Sequence, residues 1–172
     1  MQLTIAITIF VAGFLAGVVN AVAGGGTFIT FGALTVIGVS PILANTTSSL
    51  TQFPGYIASA LAYRAEIQQQ WRAALALCVA SIVGATLGSW LLLALDNASF
   101  RALVPWLLLA ATLLFAAGPW LKPRPREGQA APGPAVGLVV QGATAVYGGF
   151  FGAGVGVMML ATLGLTRPGD YH

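Results

Sequence analysis

Charged side chains are scarce in this sequence: Asp, Glu, Lys and Arg together make up 6% of its 172 residues. Soluble domains carry about 25% charged residues, so this scarcity excludes an ordinary soluble protein. Cysteine and histidine occur once each, as Cys78 and His172. No intramolecular disulfide can form, and no Cys/His cluster matches a zinc, haem or iron–sulfur site. The sequence also lacks a phosphate-binding loop and a nucleophile–base pair, so we predict no cofactor and no enzymatic activity.

Long uncharged apolar windows fill most of the chain, whose hydrophobic share is 58% and whose mean hydropathy is +0.89. A helix needs about 20 apolar residues to cross a bilayer. Five windows meet that length, namely 3–23, 42–63, 73–95, 102–121 and 135–160. We therefore predict an all-α fold, a polytopic integral membrane helical bundle.

Two segments near the amino terminus need separate treatment. Segment 27–39 would reach only about 20 Å as a helix, so it is predicted to be re-entrant or half-crossing. An alternative for 3–23 is a cleaved secretory signal, because 21–23 has the small-x-small form of a cleavage site. The absence of Lys and Arg before this window, together with its length, favours a retained span.

The distribution of basic residues predicts the orientation in the membrane. Two basic residues flank the connection 64–72 and three lie in 122–134. Since cytoplasmic loops are enriched in Lys and Arg, both connections are predicted to be cytoplasmic, with 96–100 outside. If 27–39 enters and leaves by the outer face of the membrane, the amino terminus is on the cytoplasmic side. If this segment crosses fully, the amino terminus is on the outer side.

An internal repeat divides the chain. Residues 122–134 combine Pro, Gly and charge, a composition typical of a linker. The glycine pattern of 13–17 returns in 149–156, after an even number of full spans, which predicts two copies in parallel orientation. We expect 1–121 to form a first repeat of four spans plus the re-entrant segment, and 135–172 to begin a second repeat that is incomplete.

A polar and glycine-rich break ends the first window. It consists of Asn20 followed by Gly24, Gly25 and Gly26. A helix that breaks here leaves unpaired N–H groups at the start of the next segment, near Thr27. Such an end carries the positive pole of the helix dipole and favours an anion. The alternative is that these glycines only permit close helix packing.

Small residues at helical spacing form two further faces. Gly13 and Gly17 lie on the first window, and Ala80, Gly84 and Gly88 on the third. Close contact between helices is the favoured interpretation of both faces.

Polar side chains recur at helical spacing along 42–63, at Asn45, Ser49, Gln52, Tyr56, Ser59 and Tyr63. Buried amides and hydroxyls are unfavourable in hydrocarbon without partners, so this stripe should face a neighbouring helix or a wet path. Pro54 predicts a kink, because it cannot donate to the carbonyl of Leu50. Residues 45–48 could alternatively cap a helix amino terminus, the favoured role for Thr46.

Two linked sequence elements carry a resemblance to a known family. The run 13–27 reads Gly-Phe-Leu-Ala-Gly-Val-Val-Asn-Ala-Val-Ala-Gly-Gly-Gly-Thr, and 44–47 reads Ala-Asn-Thr-Thr. Together with Pro-Gly-Tyr at 54–56 and the glycine cluster of 147–154, they resemble the signature of the sulfite exporter TauE/SafE family. The resemblance implies a bacterial inner-membrane permease with two related halves that moves sulfite or other sulfur-containing organic anions. The second cluster departs from consecutive glycines, since 152–156 reads Gly-Ala-Gly-Val-Gly.

Residues and resemblance together predict a permease that exports small anions, such as sulfite or an organosulfonate. The expected substrate-binding residues are Asn20, Gly24, Gly25, Gly26, Thr27, Asn45, Thr46, Ser49, Gln52, Pro54, Gly152, Gly154 and Gly156. The expected partners are a small anionic solute and the lipid bilayer; a homo-oligomer is left open, and no nucleic acid is expected. The alternative is a non-transporting scaffold subunit, in which the small-residue faces dock a partner.

Overall fold

The chain is helical throughout the residues that the computed structural model describes, which are 2–121, 134–156, 158 and 159. Its helices are α1 (Gln2–Ala23), α2 (Gly26–Val36), α3 (Pro41–Thr51), α4 (Phe53–Ala62), α5 (Arg64–Gln69), α6 (Trp71–Leu93), α7 (Asn97–Leu121) and α8 (Pro134–Phe150). No strand occurs in this part of the chain, and the predicted all-α fold is confirmed. The linker residues 122–133 and the terminal stretch 160–172 lie outside the described residues.

Two helices of the described chain are long and apolar enough to cross a membrane. They are α1, over Gln2–Val22 with a mean hydropathy of 2.3, and α6, with a mean hydropathy of 2.0. Large apolar side chains point away from the bundle on both, such as Phe10, which is 75% exposed, and Trp90. An apolar outer surface on this scale suits lipid contact.

The window 42–63 is interrupted near its middle, two residues before Pro54. α3 ends at Thr51, α4 begins at Phe53, and Gln52 caps both helices. This interruption lies where the kink is expected from Pro54, because proline in the first turn of α4 removes the N–H that would continue α3. The stripe is therefore split between two short helices.

The capping role suggested for residues 45–48 is wrong. α3 begins at Pro41, after an extended Ser40, so Thr46 lies inside the helix. Its hydroxyl donates to the carbonyl of Ile42 at 2.9 Å, the usual bond of a helical threonine.

Helices α6 and α8 cross in close contact through glycine. A Cβ placed at Gly84 would lie 2.5 Å from the carbonyl oxygen of Gly142, and one at Gly88 would lie 2.7 Å from the backbone nitrogen of Phe150. The packing predicted for Gly84 and Gly88 is confirmed. The Ser89 hydroxyl adds a hydrogen bond across the crossing, to the carbonyl of Gly149 at 3.2 Å.

An aromatic core holds the carboxyl end of α8 against the rest of the bundle. Phe100 and Phe151 are fully buried, and the ring of Phe151 lies 5.6 Å from Phe31 and 6.0 Å from Phe100, centroid to centroid. These edge-to-face and tilted contacts join α2, α7 and the segment after α8. The core therefore fixes the position of the second glycine cluster.

Candidate functional site

The first glycine cluster interrupts the chain as predicted. α1 ends at Ala23, and Gly24 adopts a left-handed conformation with φ of 72°. Only glycine adopts this conformation without strain. Gly25 caps α2, which begins at Gly26, one residue earlier than expected.

Helix α2 folds back along α1. A Cβ at Gly26 would overlap the carbonyl oxygen of Ala16 and lie 2.8 Å from the Cβ of Asn20. Residues of both helices, among them Ile9 and Ala33, line one shared cavity. At 11 residues, α2 is about 16 Å long. This length is shorter than the hydrocarbon core of a bilayer.

The second glycine cluster also interrupts a helix, so the uninterrupted window predicted at 135–160 is wrong. α8 ends at Phe150, and Gly154 is left-handed with φ of 79°. Helical hydrogen bonding resumes with Met158 N–H donating to the carbonyl of Gly154 at 3.1 Å. Gly24 and Gly154 thus share a conformation, whereas the glycines at 13 and 17 lie inside α1.

The two breaks touch each other. The backbone N–H of Gly154 donates to the Thr27 hydroxyl oxygen at 2.9 Å, a buried bond across 127 residues of sequence. A Cβ at Gly154 would overlap the ring of Phe28, and one at Gly156 would lie 2.6 Å from the carbonyl oxygen of Gly24. Glycine at these positions lets two backbone segments meet where any side chain would separate them.

Helix α3 supports the contact between the breaks. The Asn45 amide nitrogen donates to the carbonyl of Phe150 at 3.2 Å, which satisfies an acceptor at the end of α8. Asn45 is 2% exposed, and its Oδ1 atom has no partner among the described residues. Gly152 lies directly against the Ser49 hydroxyl, with no room for a Cβ.

A first cavity of about 540 Å³ opens beside the Gly24 break, between α1, α2, α3 and α4. Its polar lining consists of Asn20, Thr30, Thr47, Thr51, Gln52, Tyr56 and Ser59. The Oδ1 atom of Asn20 is buried without a partner among the described residues.

The amino terminus of α2 follows directly after Gly24, which lines this cavity. No side chain caps it, and Gly25 in the capping position supplies none. The first N–H groups of a helix have no partner inside the helix and carry a partial positive charge. This end can therefore stabilise negative charge.

The description "Sulfite exporter TauE/SafE" belongs to a family model that matches residues 9–171 of this chain. The chain belongs to the TauE/SafE family. A Haemophilus influenzae protein described as a probable membrane transporter protein is 33% identical over 164 residues, covering 93% of this chain and 64% of the relative. A Sinorhizobium protein, described as probable membrane transporter protein ORF9, is 32% identical over 111 residues, covering 64% of this chain and 42% of the relative.

The chain spans less than two thirds of the length of these curated relatives. No solved structure matches it. Membership in a membrane transporter family confirms the family resemblance found in the sequence.

Not every expected site residue of this TauE/SafE chain lies at a cavity. Thr46 and Pro54 are exposed and line neither of the cavities beside the breaks. Gly25 and Gly26 are buried in the turn and against α1. The packing favoured for Gly13 and Gly17 is not found in the described chain, where nothing lies within 4 Å of a Cβ added at either; both line the first cavity instead.

A second cavity, of about 560 Å³, lies on the other side of the joint between α3 and α4. Thr27, Ser49 and Gly152 line it, as expected site residues, together with Ser81, Gln141 and Thr144, which the sequence analysis missed. Gln141 was detectable, because it is an amide in an uncharged apolar window, as Asn20 is. Its partner Ser81 lies 60 residues away and carries no such signal.

Thr27→Val is expected to lower the free energy of unfolding by about 1–3 kcal/mol, because it leaves the buried Gly154 N–H without an acceptor while conserving shape. The measurement is the thermal unfolding midpoint in detergent. Thr8→Val is the matched control, since the Thr8 hydroxyl is exposed and bonds only the Thr4 carbonyl of its own helix. Equal midpoints for the two variants would show that the contact between the breaks contributes nothing.

Proposed function

We propose that this protein is the permease, or part of the permease, that exports small anions across a bacterial inner membrane, with sulfite or an organosulfonate as substrate. The observation that carries the proposal is the meeting of the two glycine breaks, with Gly24 of the first break in the wall of the first cavity and no side chain capping the amino terminus of α2. Transporters hold their substrates at interrupted helices of this kind.

The chemistry of the first cavity favours an anion. The side-chain amides of Asn20 and Gln52 line this cavity and carry N–H donors, and α2 begins directly after Gly24 in its wall. Gln52 lies at the joint of α3 and α4, is buried, and has an amide with no partner among the described residues. Such donors replace the water that an anion loses on entering the bundle.

The orientation in the membrane is part of the same proposal. The connections 64–72 and 122–134 are cytoplasmic, and the site is exposed alternately to the two sides of the membrane. Membership in a transporter family supports transport over the scaffold alternative, and also supports the expectation that the protein is not an enzyme.

Asn20→Leu is expected to lower the initial rate of anion transport at least about tenfold, because a hydrogen bond to a charged group contributes about 1.5–3 kcal/mol. The measurement is accumulation of radiolabelled sulfite, and of a radiolabelled sulfonate, in everted vesicles from cells expressing the complete reading frame of the gene. Everted vesicles present the cytoplasmic face outward, so an exporter loads them.

Gln68→Leu is the control, because it removes an exposed amide from α5, away from both cavities. Both variants are compared at equal amounts of protein in the membrane. The proposal is wrong if wild-type vesicles accumulate no more of either anion than vesicles from cells without the gene. It is also wrong in its choice of site if Asn20→Leu transports like Gln68→Leu.

A further inference from the structure

The second cavity contains hydroxyl groups whose protons have no acceptor among the residues that the structure describes. It lies between α6, α8 and the start of α2, and it is distinct from the first cavity, with Tyr56 lining both. Three of its polar residues are buried: Thr27 is 1% exposed, Thr144 is 3% exposed and Gln141 is 6% exposed. Buried polar groups of this kind are unfavourable unless they are hydrogen-bonded or meet a ligand.

Ser81 is the first of these groups. Its hydroxyl oxygen accepts a hydrogen bond from the Gln141 amide nitrogen at 2.8 Å. A hydroxyl that accepts keeps its own proton to donate, and the Ser81 proton has no acceptor in the described chain. The amide that donates to Ser81 also polarises its O–H bond, which makes the hydroxyl a better donor.

Thr27 carries the second of these hydroxyl groups. Its hydroxyl oxygen accepts from the Gly154 N–H at 2.9 Å, and this hydroxyl likewise donates to no acceptor in the described chain. Two other hydroxyls of the cavity differ, since Thr144 donates to the carbonyl of Val140 and Ser49 to that of Asn45. Ser81 and Thr27 thus each carry a hydroxyl proton without an acceptor in the described chain, on an oxygen that an N–H donor holds in place.

We propose that the second cavity is a separate binding site for a small oxyanion, whose oxygen atoms accept hydrogen bonds from the Ser81 and Thr27 hydroxyls. Gln141 is a positioning residue, because it orients Ser81 without needing to touch the ligand. The anion occupies this site in addition to the one beside Asn20, and Tyr56 lies on the wall that the two sites share. The proposal rests on the proposed function for the class of solute.

The test is equilibrium binding of radiolabelled methanesulfonate to the purified complete gene product in detergent. Wild-type protein is expected to show two resolvable binding steps. Ser81→Ala should weaken one of them about tenfold, the effect of losing a hydrogen bond to a charged group, and leave the other unchanged. Asn20→Leu should weaken the other step and spare the one that depends on Ser81.

Ser89→Ala is the matched control on the same helix. Ser81 and Ser89 each make one hydrogen bond from α6 to α8, but Ser89 donates its proton to Gly149 and lines neither cavity. Ser89→Ala should therefore have an unfolding midpoint similar to that of Ser81→Ala. Its binding of methanesulfonate should be the same as that of the wild type. Ser81→Thr, which keeps the hydroxyl, should restore the weakened step.

The outcomes separate the two proposals. A single binding step that Asn20→Leu weakens and Ser81→Ala does not change overturns the second site and leaves the proposed function intact. Equal loss of binding in Ser81→Ala and Ser89→Ala also overturns it, because the effect would then come from helix packing. Absence of any binding step in the wild type contradicts the proposed function itself.

Discussion

Gly26→Ala is expected to lower the free energy of unfolding by about 3 kcal/mol or more and to abolish transport. The added methyl group would overlap the carbonyl oxygen of Ala16, and a backbone atom of a packed helix cannot move aside as the end of a flexible side chain can. α2 would have to separate from α1, which moves the amino terminus of α2 away from Asn20. The measurements are the thermal unfolding midpoint in detergent and anion accumulation in everted vesicles.

Gly32→Ala is the control on the same helix, and its effect on stability should have the opposite sign. Nothing lies within 4 Å of a Cβ added at Gly32. Alanine in a helix interior is favoured over glycine by about 0.5–1 kcal/mol, so this variant should be as stable as the wild type or slightly more stable. If Gly26→Ala unfolds at the same temperature as Gly32→Ala, α2 does not fold back along α1 as described.

Gly88→Ala is expected to lower the free energy of unfolding by about 1–3 kcal/mol and to separate α6 from α8. A Cβ at Gly88 would overlap the carbonyl oxygen of Val146 and lie 2.7 Å from the nitrogen of Phe150. Because α8 carries the second break at its carboxyl end, a shift of α8 should also disturb the contact between Gly154 and Thr27. Cross-linking of cysteine pairs introduced on α6 and α8 reports the separation directly.

Gly137→Ala provides the matched comparison for this crossing. Gly137 lies on α8, and nothing lies within 4 Å of a Cβ added there. It should retain wild-type stability and wild-type cross-linking. Similar behaviour of Gly88→Ala and Gly137→Ala would contradict the close crossing of the two helices.

The sequence predicted those features of the site that depend on local backbone chemistry. Three consecutive glycines after Asn20 predicted the first break, since glycine alone takes a left-handed conformation such as that of Gly24 without strain. Pro54 predicted the interruption near mid-window in the same way, through its missing N–H. Both predictions needed only the residue and its neighbours.

Predictions that relied on hydropathy alone were less successful. Apolar composition is continuous across the end of α8, so hydropathy gave no sign of the break after Phe150. Gly152, Gly154 and Gly156 alternate with other residues and were recognised as a cluster but not as an interruption. The break there is held by the aromatic contacts of Phe151 and by Thr27, neither of which is local in sequence.

By itself, the sequence determined that this protein is an all-helical membrane protein of the TauE/SafE family and that a glycine turn ends its first helix. The hydropathy of a window and the backbone preferences of glycine and proline depend on a few neighbouring residues. The order of amino acids is therefore sufficient to predict the apolar helices and the glycine turn. Only the tertiary structure decided that the two glycine breaks meet, that Gly13 and Gly17 line a cavity, and that Ser81 and Gln141 pair. Those outcomes depend on which backbones can approach without a side chain between them, and that is set by contacts between residues as far apart as Thr27 and Gly154.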